Sequence, residues 1–272
     1  DLTESENESK SYQKKISEVY SWTIAGGLIA SIISIILLYL FNSFEILIFI
    51  SLLSCIVSAL FLLQLKEIKS SSITDNKQIR SLIKHFLSNL RILKKSKLLT
   101  LLIITAGMLG ALKGSLDEFH PILLETFEID ATYISLFLLL YAFSSLLGAK
   151  FMGQKRLVNK HIVMSILVIG FAIAISPLFG VIAAITLLLI TNFVDSYVRI
   201  HLETSIIEKS DNDKKSSSLS FVGFQVEVLS LVVFFAAYVI TSMYSLTSLY
   251  AMIGAMIVGL GMYLYYKYSR LS

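Results

Sequence analysis

Two uninterrupted apolar runs limit this chain more than any other feature. Residues 162–194 contain no Asp, Glu, Lys or Arg in 33 positions, and residues 228–266 contain none in 39. Shorter runs of the same kind cover 19–40, 46–65 and 131–149, and another extends from Leu98 to Leu112. A helix crosses the hydrocarbon core of a bilayer in about 20 apolar residues. Backbone groups find no water there, so only helices and closed barrels can span it. Barrel strands alternate polar and apolar side chains, and these runs do not. Hydrophobic residues make up 56% of the 272-residue chain and charged residues 15%, against about 25% charged in soluble proteins. That composition excludes soluble enzymes, disordered chains and collagen-like chains. One cysteine and two prolines exclude a disulfide scaffold and a Pro-rich linker.

Runs of 33 and 39 residues must fold back on themselves. Ser176-Pro177-Leu178-Phe179-Gly180 breaks the first, and Thr241-Ser242-Met243-Tyr244-Ser245 breaks the second. The sequence therefore predicts an all-α polytopic membrane protein. Its eight transmembrane helices fall near 19–40, 44–65, 98–121, 132–152, 162–177, 180–204, 218–241 and 247–266. The organisation is a polar segment at 1–18, two helices at 19–65, a linker at 66–97, six helices at 98–266 and a tail at 267–272.

The cations set the orientation. Of 23 Lys and Arg, 21 fall within 1–18, 66–97, 150–160, 209–215 and 267–270. The alternate loops near 41–45, 122–131, 177–180 and 242–246 hold none, and carry Glu45, Glu125, Glu128 and Asp130 instead. The positive-inside rule then places both ends in the cytoplasm of a multi-pass plasma-membrane protein. Tyr20 and Trp22 at one inner end, and Tyr263, Tyr265, Tyr266 and Tyr268 at another, read as interfacial belts. The first residue is Asp1, and the opening 18 residues lack the basic-then-apolar order of a signal peptide. The chain therefore reads as one whose beginning has been removed.

The linker carries nine basic residues against Glu67 and Asp75. After Thr74 or Asp75, Ile79, Leu82, Ile83, Phe86, Leu87, Leu90 and Leu93 recur at helical spacing. This predicts a basic amphipathic helix that lies on the anionic inner leaflet or packs on the bundle, in a structural role.

Two spans, a long basic cytoplasmic linker and six spans with short loops resemble the major facilitator superfamily of secondary transporters, from the loop before the fifth helix through the twelfth. Gly148-Ala149-Lys150-Phe151-Met152-Gly153-Gln154-Lys155-Arg156 resembles the degenerate second copy of that family's glycine-and-basic loop motif, without its usual aspartate. Lys214-Lys215-Ser216-Ser217-Ser218-Leu219-Ser220 resembles the basic, Ser-rich entry into the eleventh helix. Trp22-Thr23-Ile24-Ala25-Gly26-Gly27 keeps the paired glycines of the drug/proton antiporter signature but has Trp-Thr in place of its Gly-Pro. The resemblance implies a two-lobed carrier whose first four helices are missing here. It also implies a substrate cavity at the midplane between the lobes, lined here by the helices at 98–121 and 180–204.

Charges inside a membrane are costly and tend to be functional. Glu227 lies nine residues past Ser218, about 13 Å into its helix. It is the deepest acid by sequence, and is a candidate proton carrier or an acid hydrogen-bonded to a neighbouring helix. Lys113, Asp117 and His120 share one helix face, with Glu118 beside it. Lys113 is about 24 Å from Lys97, which puts this group in the outer third. It could bind substrate or form an outer gate, with Asp117 and Glu118 alternatively wet residues at the outer interface. His120 has no partner spacing for a metal. Asp195, Arg199 and Glu203 form a ladder near the cytoplasmic end of their helix, as an inner gate or as snorkelling interface residues, with Asp195 the most buried. Gly107, Gly110 and Gly114 mark a thin face, and Pro121 ends or kinks that helix. Gly26, Ala30 and Ser34, and likewise Ala251, Ala255 and Gly259, read as packing faces. Cys55 reads as a small buried residue.

No nucleotide loop, zinc spacing or catalytic triad is present, so the expectation is a non-enzyme without metal or cofactor, and without nucleic acid as a partner. The expected function is secondary active transport of a small solute by alternating access, with proton-coupled efflux as one form. The expected partners are the lipid bilayer, a small-molecule substrate and protons. The alternative is a non-transporting membrane scaffold or subunit that assembles with a partner.

Overall fold

A computed structural model describes residues 2–41, 44–64, 96–154, 159–210 and 215–271. The basic linker helix expected within 66–97 lies outside the described residues except for Ser96 and Lys97, as do Lys155, Arg156 and Lys214. The described residues form nine α-helices and no strand. These are α1 (Leu2–Phe41), α2 (Phe44–Gln64), α3 (Lys97–Asp117), α4 (His120–Glu125), α5 (Ala131–Gln154), α6 (Asn159–Ile175), α7 (Val181–Lys209), α8 (Lys215–Met243) and α9 (Leu246–Leu271). Seven helical stretches among the described residues are long and apolar enough to cross a membrane, and α2 adds a shorter apolar stretch at Ile48–Phe61. The protein is thus a multi-pass α-helical membrane protein.

Helix ends depart from the sequence reading for local reasons. The opening polar residues are not a separate segment: α1 begins at Leu2. No Gly or Pro interrupts residues 2–18, and Gln13 and Ser17 are buried against α5. The third predicted helix stops at Asp117, four residues early. Pro121 lacks an N–H, and its ring clashes with the carbonyl four residues back, so the helix breaks there. Pro121 then sits in the first turn of α4, where a missing N–H costs nothing. The turn at Ser176–Leu178 is a short 3₁₀ helix, as the Ser-Pro break required.

The core lies among α3, α6, α7 and α9. Leu102, Leu116, Ile166, Ile169, Leu188, Ile253 and Ile257 are all buried there. A Cβ on Gly254 of α9 would stand 2.6 Å from the Gly170 carbonyl oxygen of α6, so these two backbones touch directly. Helix α8 rests on α3, where a Cβ on Gly107 would meet Gln225 and one on Gly110 would meet Val226. Helix α1 docks on α5 and α7, and α2 packs on α1.

Three packing expectations are corrected. Cys55 is exposed, because its stretch of α2 is exposed throughout. Gly26 and Ala30 are exposed, and a Cβ on Gly26 would meet nothing within 4 Å. Ala251, Ala255 and Gly259 also face outward, because α9 turns Ile253, Gly254, Ile257 and Gly261 inward instead. Small residues alone do not choose the buried face; the larger apolar residues beside them do. The outward faces are strongly apolar, with Leu231, Phe235 and Tyr238 of α8 each 71% exposed. Such a surface suits acyl chains rather than water.

Candidate functional site

A chain of charges threads the middle of the core. Lys113 of α3 is buried, with its Nζ 2.9 Å from Asp117 Oδ2 and 3.6 Å from Asp195 Oδ2 of α7. The same Nζ donates to Asn192 Oδ1 at 2.6 Å and lies 5.0 Å from the centre of the Tyr141 ring of α5. Arg199, one turn beyond Asp195, sets its Nη2 3.3 Å from the same Oδ2. The i,i+4 spacing on one helix face produces both intrahelical pairs. The α3–α7 crossing produces the bridge between them. Two cations face two carboxylates, so burial of the set is offset by mutual pairing and hydrogen bonds.

At the other end, Asp117 Oδ1 accepts from the Tyr141 hydroxyl at 2.6 Å and lies 3.3 Å from His120 Nε2. His120 Nδ1 is 2.6 Å from the Tyr250 hydroxyl, and its Nε2 is 3.1 Å from that of Tyr141. Both ring nitrogens are therefore engaged, and no group of His, Cys, Asp and Glu fit to hold a metal occurs among the described residues. Tyr250 is fully buried. Tyr250→Phe strands His120 Nδ1 without its partner, which costs about 1–3 kcal/mol. Thermal unfolding of the detergent-solubilised protein will show this as a lowered midpoint.

Beside the charges lies a cavity of about 270 Å³. Its polar lining is Tyr20 of α1, Asp195, Arg199 and Glu203 of α7, and Glu227 of α8. Leu109, Leu202, Val222 and Val226 supply apolar walls. The Tyr20 hydroxyl donates to Glu203 Oε1 at 2.5 Å, closing α1 onto α7. Asp195 Oδ1 is buried and makes no hydrogen bond among the described residues. Asp195 also belongs to the cavity lining.

Of the residues singled out by sequence, Asp195, Arg199, Glu203 and Glu227 meet around this cavity, and Lys113 and Asp117 stand behind Asp195. Glu118 is exposed and takes no part. Two placements are corrected. Lys113 and Asp195 do not lie at opposite depths, because they are 3.6 Å apart. Asp195 is 14 residues from each end of the 29-residue α7, about 21 Å either way, so it sits mid-helix and not near one end. Glu227 is exposed on the cavity wall, and the enclosed carboxylate is Asp195, only 2% exposed. Asn192, Tyr141 and Tyr250 have no place in the sequence reading, and Tyr20, read there as an interfacial residue, instead bonds Glu203 at the cavity. A lone Asn inside a 33-residue uncharged run was the available signal, since a buried amide in a membrane helix needs a partner.

No protein-family model matches this chain, and neither a curated protein nor a solved structure matches it.

Proposed function

We propose that the chain belongs to a secondary active transporter that moves a small solute by alternating access, with the cavity beside Asp195 as part of the solute path. One observation carries this reading. Asp195 is buried mid-helix, tied to Lys113 of α3 and Arg199 of the same helix, and it lines the cavity together with Glu203 and Glu227. Charged groups inside membrane helices that border a cavity rather than lipid are the ones that mark solute and ion paths. The layout likeness to the major facilitator superfamily supports the same reading, because that resemblance would make α3 and α7 the two cavity-lining helices of the second lobe. Glu227 of α8, also in the cavity lining, is the candidate proton carrier.

The test uses the natural full-length protein in sealed vesicles with an imposed proton gradient and a panel of small amphipathic solutes. Uptake driven by the gradient should be lost in Glu227→Gln and in Asp195→Asn, with expression and helix content unchanged. Unaltered uptake in Glu227→Gln removes that residue from coupling. Absence of gradient-driven uptake of any solute, together with stable assembly with another membrane protein, favours the scaffold alternative.

We also propose that the Lys- and Arg-rich ends face the cytoplasm. In a Cys55→Ser background, Glu125→Cys should react with a membrane-impermeant maleimide on intact cells, and Lys150→Cys only after permeabilisation. The opposite pattern reverses the orientation.

A further inference from the structure

A second concavity, which shares no lining residue with the first, lies between α1 and α5. The two helices run antiparallel and are pinned along one edge. Gln13 Nε2 donates to the Met152 carbonyl, and Ser17 Oγ donates to the Ala149 carbonyl at 2.6 Å. Side-chain bonds to a neighbouring backbone hold membrane helices in close, fixed register. Outside that edge the helices diverge and leave a groove of about 380 Å³.

The groove is chemically polarised. Lys14 of α1 and Lys150 of α5 stand at the same end, both exposed, and neither has an ion-pair partner among the described residues. Moving along α1, the groove wall passes Glu18, Ser21, Trp22 and Ala25. These positions repeat at three and four residues, so they share one helix face. Ala25 is 11 residues from Lys14, about 16 Å deeper along the axis. Because α5 runs the other way, Leu146 is one turn deeper than Lys150. One end therefore offers two ammonium groups, and the other offers an indole and two aliphatic side chains. Trp22 is 78% exposed, and its amphipathic ring marks the boundary between the two. A single carboxylate, Glu18, opposes the two lysines, so the polar end keeps a net positive charge.

We propose that this groove binds one anionic phospholipid, with its phosphate between Lys14 and Lys150 and its acyl chains along Trp22, Ala25 and Leu146. Charge complementarity selects the headgroup. The graded walls select a molecule that is itself charged at one end and aliphatic at the other. A free inorganic anion would leave the apolar half of the groove uncovered.

Trp22 is the only tryptophan in the chain, so its fluorescence reports on this groove alone. The full chain is reconstituted in vesicles of unlabelled phosphatidylcholine containing a small fraction of one brominated lipid, whose bromines quench indole on contact. Brominated phosphatidylglycerol should quench Trp22 more than brominated phosphatidylcholine or phosphatidylethanolamine at equal mole fraction. The preference should fall roughly fivefold for each lysine in Lys14→Gln and Lys150→Gln, and vanish in the double variant. Glu18→Gln should raise it, which keeps the test decisive if a lysine variant folds badly. Added inorganic phosphate should leave the quenching unchanged. Equal quenching by all three lipids, relief by inorganic phosphate, or a preference that survives the double variant would overturn the proposal.

Discussion

Lys113→Ala should destabilise the protein by about 3–5 kcal/mol, the cost of removing one partner from a buried ion pair. Lys113 is the hub of the network, touching Asp117, Asp195 and Asn192 from a side chain only 4% exposed. Its removal leaves Asp195 with Arg199 alone, whose side chain is 39% exposed and 3.3 Å away. The carboxylate is then buried with half its compensation gone. Denaturation in mixed detergent micelles, followed by circular dichroism, measures the loss. Lys113→Ala/Asp195→Ala should be more stable than the sum of the two single changes predicts, because the second change removes the charge that the first stranded. Strict additivity would mean that the bridge between α3 and α7 contributes nothing. Lys113→Arg should not restore full stability, since a planar fork does not fit a site built around one ammonium.

The second large effect concerns packing. A Cβ on Gly148 of α5 would lie 2.2 Å from the Phe193 carbonyl oxygen of α7 and 3.0 Å from its carbon. Both are backbone atoms, so no rotamer change can make room. Gly148→Ala must push α5 and α7 apart, at about 1–3 kcal/mol or more. The same movement strains the Ser145–Ser196 hydroxyl pair and the bond from Asn192 Nδ2 to the Tyr141 carbonyl, which lie within two turns. Asn192 in turn holds Lys113, so the variant should also weaken the transport proposed above. Gly114→Ala is the control: nothing lies within 4 Å of its Cβ, and replacing glycine inside a helix stabilises by about 0.5–1 kcal/mol. Equal thermal midpoints for the two variants would contradict the close approach.

What could be read from the sequence divides along physical lines. Spans follow from uncharged length, and the turn at 176–180 follows from Ser-Pro and Gly, because each depends on a few neighbouring residues. The pairing of Lys113 with Asp117 was legible for the same reason: one helix turn fixes it. The Lys113–Asp195 bridge was not, because it depends on how far α3 and α7 slide along each other, and no local pattern encodes that register. Depth estimated separately on each helix put these residues at different levels, and their contact shows how errors in helix ends accumulate. Outward small residues at Gly26 and Ala255 misled for a related reason. A glycine or alanine permits close approach without requiring it, whereas Ile253 and Ile257 decide which side of α9 is covered.

The seat of α8 has a mechanical consequence. Only Ser218, Val222 and Ala237 of its 29 residues are buried. Its contact with α3 runs over Gly107 and Gly110, which present bare backbone to Gln225 and Val226. Those two side chains seat in the notches that the glycines leave, and most of the remaining surface of α8 faces outward. The helix that carries Glu227 is thus held by van der Waals contact along one narrow track, while the helix that carries Asp195 is tied to α3 by the Lys113 ion pair. Any widening of the cavity is therefore expected on the α8 side first, where no ion pair among the described residues has to break.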